Sequence, residues 1–221
     1  MKKILVAIDG SKNALGAVEY VKNLFCKDEK IEVSLLHIYP SMPPLFLEEE
    51  LDPQIKKQFE AWIQNKEAAA KEHISDAVKK LHSGGFSDSR IYTKSLKQTV
   101  GVARDIVREA DAAQYDAIVV GKKGMSWIDE IFIGTITNKL LELSVDHPVW
   151  VVDGKALQRN VLISLDDSED SLGIVEYAGR MLGGLSDINF MLYHCCAPLY
   201  ECAGADDKAL WAKIEDVYEK R

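Results

Sequence analysis

Cysteine is scarce in this chain, four residues in 221, and none of the four stands in a Cys-x-x-Cys pair. Cys26, Cys195, Cys196 and Cys202 therefore match neither an established zinc spacing nor a disulfide scaffold, and read as reduced thiols. Long apolar runs are missing too. After Met-Lys-Lys only five apolar residues, Ile4–Ile8, precede Asp9, too few for a secretory core, and no later run approaches a membrane span. Both absences point to the cytoplasm. Positive charge is in deficit, 27 Lys and Arg against 35 Asp and Glu, for a net −8. That argues against a general nucleic-acid or anionic-membrane binder, because those surfaces attract Lys and Arg. An anionic ligand must then be held by a local site.

What the chain does have is 47% hydrophobic residues, laid out in short runs. Ile4–Ile8, Val33–Ile38, Ser89–Ser95, Ala117–Val120 and Val149–Val152 read as strands, each bounded by turn or charged residues. Between them Ala14–Phe25 repeats apolar residues at helical spacing, with Ser11 or Asn13 available as N-cap. Pro53 to about His82 predicts a long amphipathic helix ended by Gly84-Gly85, with Phe59 and Trp62 packing on the sheet. Thr99–Ala112 and Thr135–Leu143 predict two more. Strands alternating with helices give an α/β fold, a doubly wound parallel sheet covered on both faces. In such sheets ligands sit at the carboxyl ends of the strands where the winding reverses, which here selects Asp9, the segment after Ile38 and the loop after Val120.

The opening pattern returns later. Ile4 to Tyr20 reappears as Val161 to Tyr177 at a constant offset that takes Asp9 to Asp166, Ser11 to Ser168, Gly16 to Gly173, Glu19 to Glu176 and His37 to His194. The expected organisation is one module over residues 1–154 and, after a boundary near Gly154–Gln158, a partial second copy over 158–221 containing its first two strands and helices.

The most informative feature is Gly121-x2-Gly124-x9-Gly134-Thr135. Gly121 closes a strand, Gly124 can take positive φ, and Gly134 permits close backbone approach just before a helix whose free N–H groups and dipole favour phosphate. Thr135 and Thr137 add hydroxyls, and Lys122 and Lys123 add charge. The plainer alternatives are turn and packing glycines, solvated lysines, and an Asp9 that only caps the following helix.

With those residues on the page, the chain resembles the universal stress protein family, specifically its ATP-binding branch, which carries the same G-x2-G-x9-G-[S/T] pattern. Ile4-Leu-Val-Ala-Ile-Asp-Gly-Ser11, Leu36-His37-Ile38, Tyr115–Gly121 and His147–Val152 support the likeness over residues 1–153. It implies a Rossmann-like five-stranded parallel sheet in the order 3-2-1-4-5. It also implies that Ala7, Ile8, Asp9, Gly10 and Ser11 meet the ribose and adenine, with Ile38 packing on the adenine. Val120, Gly121, Lys122, Lys123, Gly124, Gly134, Thr135, Ile136 and Thr137 would hold the phosphates of ATP, with or without Mg2+. The family further implies a homodimer through Val149–Val152. Within the loop the chain departs from the pattern by placing Asp129 and Glu130, two acids that would oppose a triphosphate unless they face solvent or hold a divalent cation.

Binding is favoured over catalysis, with at most slow ATP hydrolysis left open. His37 has no Cys, Ser or carboxylate partner that the sequence can argue, no Walker lysine follows a P-loop, and any hydrolysis should be slow. His194-Cys195-Cys196 with Cys202 fits no metal spacing, and no metal site is expected. Asp166-Asp167 resembles the paired acids of a receiver domain, without the later strands a receiver needs. The functional expectation is an adenine-nucleotide-binding stress-response regulator; the alternative is a nucleotide-free dimerisation and interaction module of the same fold.

Overall fold

The computed structural model describes residues 1–42, 52–122, 135–153, 158–166, 168 and 170–194. Contacts divide the chain into two compact units, Met1–Leu157 and Gln158–Arg221.

In the first unit β1 (Lys2–Ile8), β2 (Ile31–Tyr39), β3 (Ile91–Lys97), β4 (Ala117–Gly121) and β5 (Val149–Val152) form one sheet in the order β3-β2-β1-β4-β5. Every pair is parallel, in keeping with the apolar runs of β1, β2, β4 and β5. The central strands are inside: Ile4, Leu5, Val6, Val33, Leu35, Leu36, Ala117, Ile118 and Val119 are all buried. Each such Leu, Ile or Val contributes roughly 1.5–3 kcal/mol by leaving water.

Among the described residues four helices cover the sheet: α1 (Lys12–Phe25), α2 (Pro53–His82), α3 (Val102–Ala113) and α4 (Thr135–Leu143). Leu5, Leu36, Ile118 and Val120 pack with Ala103, Ile106 and Ala110 of α3 and Leu140 of α4 on one face. Side chains of a strand alternate, so Ile4, Val6, Val33 and Leu35 point to the other face, where α1 and α2 lie against the strands and each other. The chain therefore leaves β1 toward one face and leaves β4 toward the opposite one. Between the carboxyl ends of β1 and β4 the winding reverses, and a crevice is built into the topology there.

Three expectations are corrected. Residues Asp88–Arg90 form a short 3-10 turn before β3 starts at Ile91, because buried Arg90 donates to the carbonyls of Asp28 (2.9 Å) and Gly85 (3.1 Å). The third helix starts at Val102 rather than Thr99, because the buried Asp105 carboxylate holds the loop before it. It accepts from Thr99 N (2.8 Å), Thr99 Oγ1 (2.6 Å), Val100 N (3.3 Å) and Gly101 N (3.4 Å). Phe59 and Trp62 are not buried against the sheet. A helix of 30 residues runs about 45 Å, about twice the length of a seven-residue strand. Only its second half, from Ala70, is buried, and Phe59 and Trp62 meet each other edge to face with Trp62 41% exposed.

The second unit holds β6 (Asn160–Leu165), α5 (Asp170–Leu182) and β7 (Asn189–His194). β6 and β7 pair in parallel with Leu165 opposite His194, the same register in which Ile8 stands opposite His37. Among the described residues this sheet has two strands. Ile163, Ala178 and Met181 are buried, whereas Leu162, Met191, Leu192 and Tyr193 are exposed.

Candidate functional site

Strand register places the predicted positions on one level. Val6 is opposite Val119 and Ile8 is opposite His37, so Asp9 and Lys122, each just past a strand, stand level with Ile38 near the end of β2 at the same carboxyl edge of the sheet. The topology thus brings together the β1 turn, the end of β2 and the end of β4.

The β1 turn is built by its own side chains. Asp9 Oδ1 accepts from the Ser11 N–H at 2.9 Å, closing an Asx turn, and Ser11 Oγ then accepts from Ala14 N at 3.2 Å as the N-cap of α1. Gly10 sits at φ +79°, a conformation that favours glycine. A Cβ there would fall into the ring of His73, which lies directly over it. The helix cap is thus Ser11 and not Asp9, which shapes the turn before it and stays exposed to solvent.

The other predicted residues separate by burial. Ile8 and Val120 are core side chains, so contacts from them would have to come from the backbone. Ala7 and Ile38 are half-buried against the α3/α4 face. Gly121 has a packing reason that its spacing did not reveal: a side chain there would strike the backbone of Asn13 and approach Ala14 N to 2.8 Å, so only glycine lets the first turn of α1 rest on the end of β4. Lys122 continues the sheet, its N–H donating to Val152 O at 2.6 Å. Beyond it Thr135 and Ile136 are exposed at the start of α4, and Thr137 is buried. Lys123, Gly124 and Gly134, together with Asp129 and Glu130, lie outside the described residues, as do Cys195, Cys196 and Cys202.

One partner at this edge carried no sequence signal. His37, 8% exposed at the end of β2, has its Nε2 3.1 Å from Nδ1 of His73, contributed by α2, with the two rings stacked. Burial and the neighbouring His73 hold the His37 imidazole below its ordinary 6.5, against the opposing pull of Asp9. Among the described residues its buried Nδ1 has no partner, and neither has Oγ of Ser95, the residue opposite it on β3. Among the described residues no group of three or more His, Cys, Asp or Glu is placed to hold a metal, and no helix is long and apolar enough to cross a membrane.

A doubly wound parallel sheet in the order 3-2-1-4-5, with an Asp-Gly-Ser turn after the first strand, defines a Rossmann-like α/β module. The universal stress protein family model matches residues 1–153, and the chain belongs to that family. It is 27% identical over 163 residues to universal stress protein YxiE of Bacillus subtilis (strain 168), covering 68% of this chain and 97% of that one. Among solved structures it is similar to hypothetical protein MJ0577, with 28% identity, a TM-score of 0.52 and coverage of 68% and 94%. A universal stress protein from Archaeoglobus fulgidus DSM 4304 shares the fold over 99% of this chain and 74% of its own, with a TM-score of 0.64 at 18% identity.

Proposed function

We propose that the first unit binds an adenine nucleotide, with ATP as the preferred form, and that binding is the event through which the protein acts as a stress-response regulator. The observation that carries this is positional. The Gly121-x2-Gly124-x9-Gly134-Thr135 pattern leaves the sheet from the end of β4, on the same level as the Asp9 turn and Ile38, at the point where the winding reverses. Phosphate would then meet the N-terminus of α4, and base and ribose would meet the β1 turn and the end of β2. Mg2+ would enter with the nucleotide. Binding, with slow hydrolysis at most, is the activity proposed, and the compartment proposed is the cytoplasm.

In the same reading residues 158–221 are a partial second module, supported by the shared register and the matching first turn, in which Ser168 N–H donates to Asp166 Oδ1 at 3.0 Å. A homodimer would form along β5, Val149–Val152, the last strand of the sheet among the described residues. Isothermal titration with ATP, with and without Mg2+, tests the nucleotide. Saturable heat that Gly134→Val removes supports it. No heat together with native mass spectra of a ligand-free dimer would instead favour the interaction module.

A further inference from the structure

We propose that His73 is a positioning residue of the nucleotide site, and that its hydrogen bond with His37 makes capture of the nucleotide depend on protons. The inference rests on the nucleotide reading just given and adds a control that the reading does not contain.

The geometry links three elements. His73 comes from α2, His37 from the end of β2, and the His73 ring fills the space over Gly10 that any other residue's Cβ would take. Gly10 lies between Asp9 and Ser11, so the position of the ring sets the turn that presents Asp9. Pulling His73 away would remove the packing that confines a glycine, the residue with most freedom to move.

Proton placement makes the link pH-sensitive. The shared hydrogen lies between His37 Nε2 and His73 Nδ1. If His37 donates it, the buried His37 Nδ1 is a bare lone pair; if His73 donates it, that nitrogen must carry an N–H with no acceptor, the costlier state. The neutral pair therefore has His37 donating. One more proton must either charge His37 on the buried nitrogen that lacks a partner or set two N–H groups head to head. Both routes are relieved when the half-exposed His73 ring swings toward solvent and leaves Gly10.

The charged surroundings do not cancel this. Asp9 at the end of β1 favours protonation but is itself exposed, and β3 offers the neutral Ser95 opposite His37. On α2, Lys71 is paired with Glu67 and feels Tyr39 of β2. From α1, Glu19 is taken by Lys22 and by Lys80, about two turns along α2 from His73.

The test uses the full chain. In the ligand-free protein the imidazole nitrogens and the Gly10 amide are followed by NMR from about pH 8 to about pH 5, the range in which imidazoles titrate. The Gly10 amide should move at the same midpoint as the imidazole signals of the pair. ATP affinity is then compared at the two ends of the range for the wild type and for His73→Gln, whose amide can accept from His37 but does not titrate. The ligand's own phosphate titration is common to both proteins. The wild type should lose about fivefold or more over and above the variant on acidification. A Gly10 amide that ignores the histidines, or equal pH dependence in the two proteins, overturns the proposal. If neither protein binds ATP at any pH the nucleotide reading falls, and the Gly10 titration alone decides whether the histidines hold the turn.

Discussion

The first strand of each unit ends in the same turn and begins the same kind of helix, yet the two strands sit in different surroundings. Asp9 Oδ1 takes the Ser11 N–H at 2.9 Å, and Asp166 Oδ1 takes the Ser168 N–H at 3.0 Å. Ser168 Oγ and Ser171 Oγ also reach the Asp166 carboxylate, and these two hydroxyls lead the causes that lower its pKa to about 2. β1 is paired on both sides, by β2 and β4, and its apolar residues are buried; β6 is paired by β7, and Leu162 is 62% exposed. The turn is thus a local property of Asp-x-Ser. Burial, and the crevice that β1 and β4 make together, are properties of neighbours that a strand does not encode by itself.

The strongest way to break the contrast is at Gly121. Gly121→Val drives a branched side chain into the Asn13 backbone, and should destabilise the first unit by about 3 kcal/mol. Urea unfolding should show the loss in the first unit's transition only, and a shift shared by both transitions would mean that the units do not unfold separately. Asp105→Ala comes next. It strips three backbone N–H groups and the Thr99 hydroxyl of their acceptor, for about 2 kcal/mol, with faster hydrogen exchange at Thr99–Gly101 as the local signature.

The second unit should respond in the opposite sense. A Cβ at Gly173 in α5 meets nothing within 4 Å, so Gly173→Ala should stabilise that unit by about 0.8 kcal/mol, read as a raised urea midpoint. A loss there would show that the open space is filled in solution.

Smallest is Glu19, which ties α1 to α2 through Lys22 and Lys80, hydrogen bonds that lower its pKa from 4.5 to about 2. Its contribution is complete above pH 4.5 and disappears as pH falls toward about 2. With the side chain 36% exposed, solvent screening leaves about 0.5 kcal/mol, which Glu19→Gln should remove at neutral pH. His37 acts earlier on the same axis. Its folded-state pKa lies below 6.5, so the unfolded chain binds the proton more readily and stability begins to fall once pH drops below 6.5. Acid unfolding curves of wild type and His37→Asn, compared above and below that pH, check the sign.

Much of the first unit was legible because its signals are local or periodic. Short apolar runs bounded by turns marked the strands, and Ser11 marked the cap of α1. What failed turned on side-chain partners that apolar periodicity does not name. Arg90 chose a turn over a strand by reaching the distant Asp28 carbonyl and that of Gly85 in its own loop, and Asp105 pulled the three residues before α3 out of the helix. Phe59 and Trp62 have the right periodicity for packing, but periodicity cannot say how far a long helix outruns its sheet. At the candidate site the positions of Asp9, Ile38 and Gly121 at the carboxyl edge followed from the strand order, whereas that of His73 did not, since nothing in α2 marks the residue that will lie over Gly10.

By itself the sequence determined the alternation of strands and helices, the Asp-x-Ser turn written twice, and the glycine pattern after the fourth strand, all of which depend on neighbours a few residues apart. Only the tertiary structure decided that Gly121 must accommodate the first turn of α1 and that His37 and His73, 36 residues apart, share one hydrogen over Gly10. Those contacts exist because parallel strands bring distant segments to one edge of the sheet, and no pattern along the chain carries the distance between them.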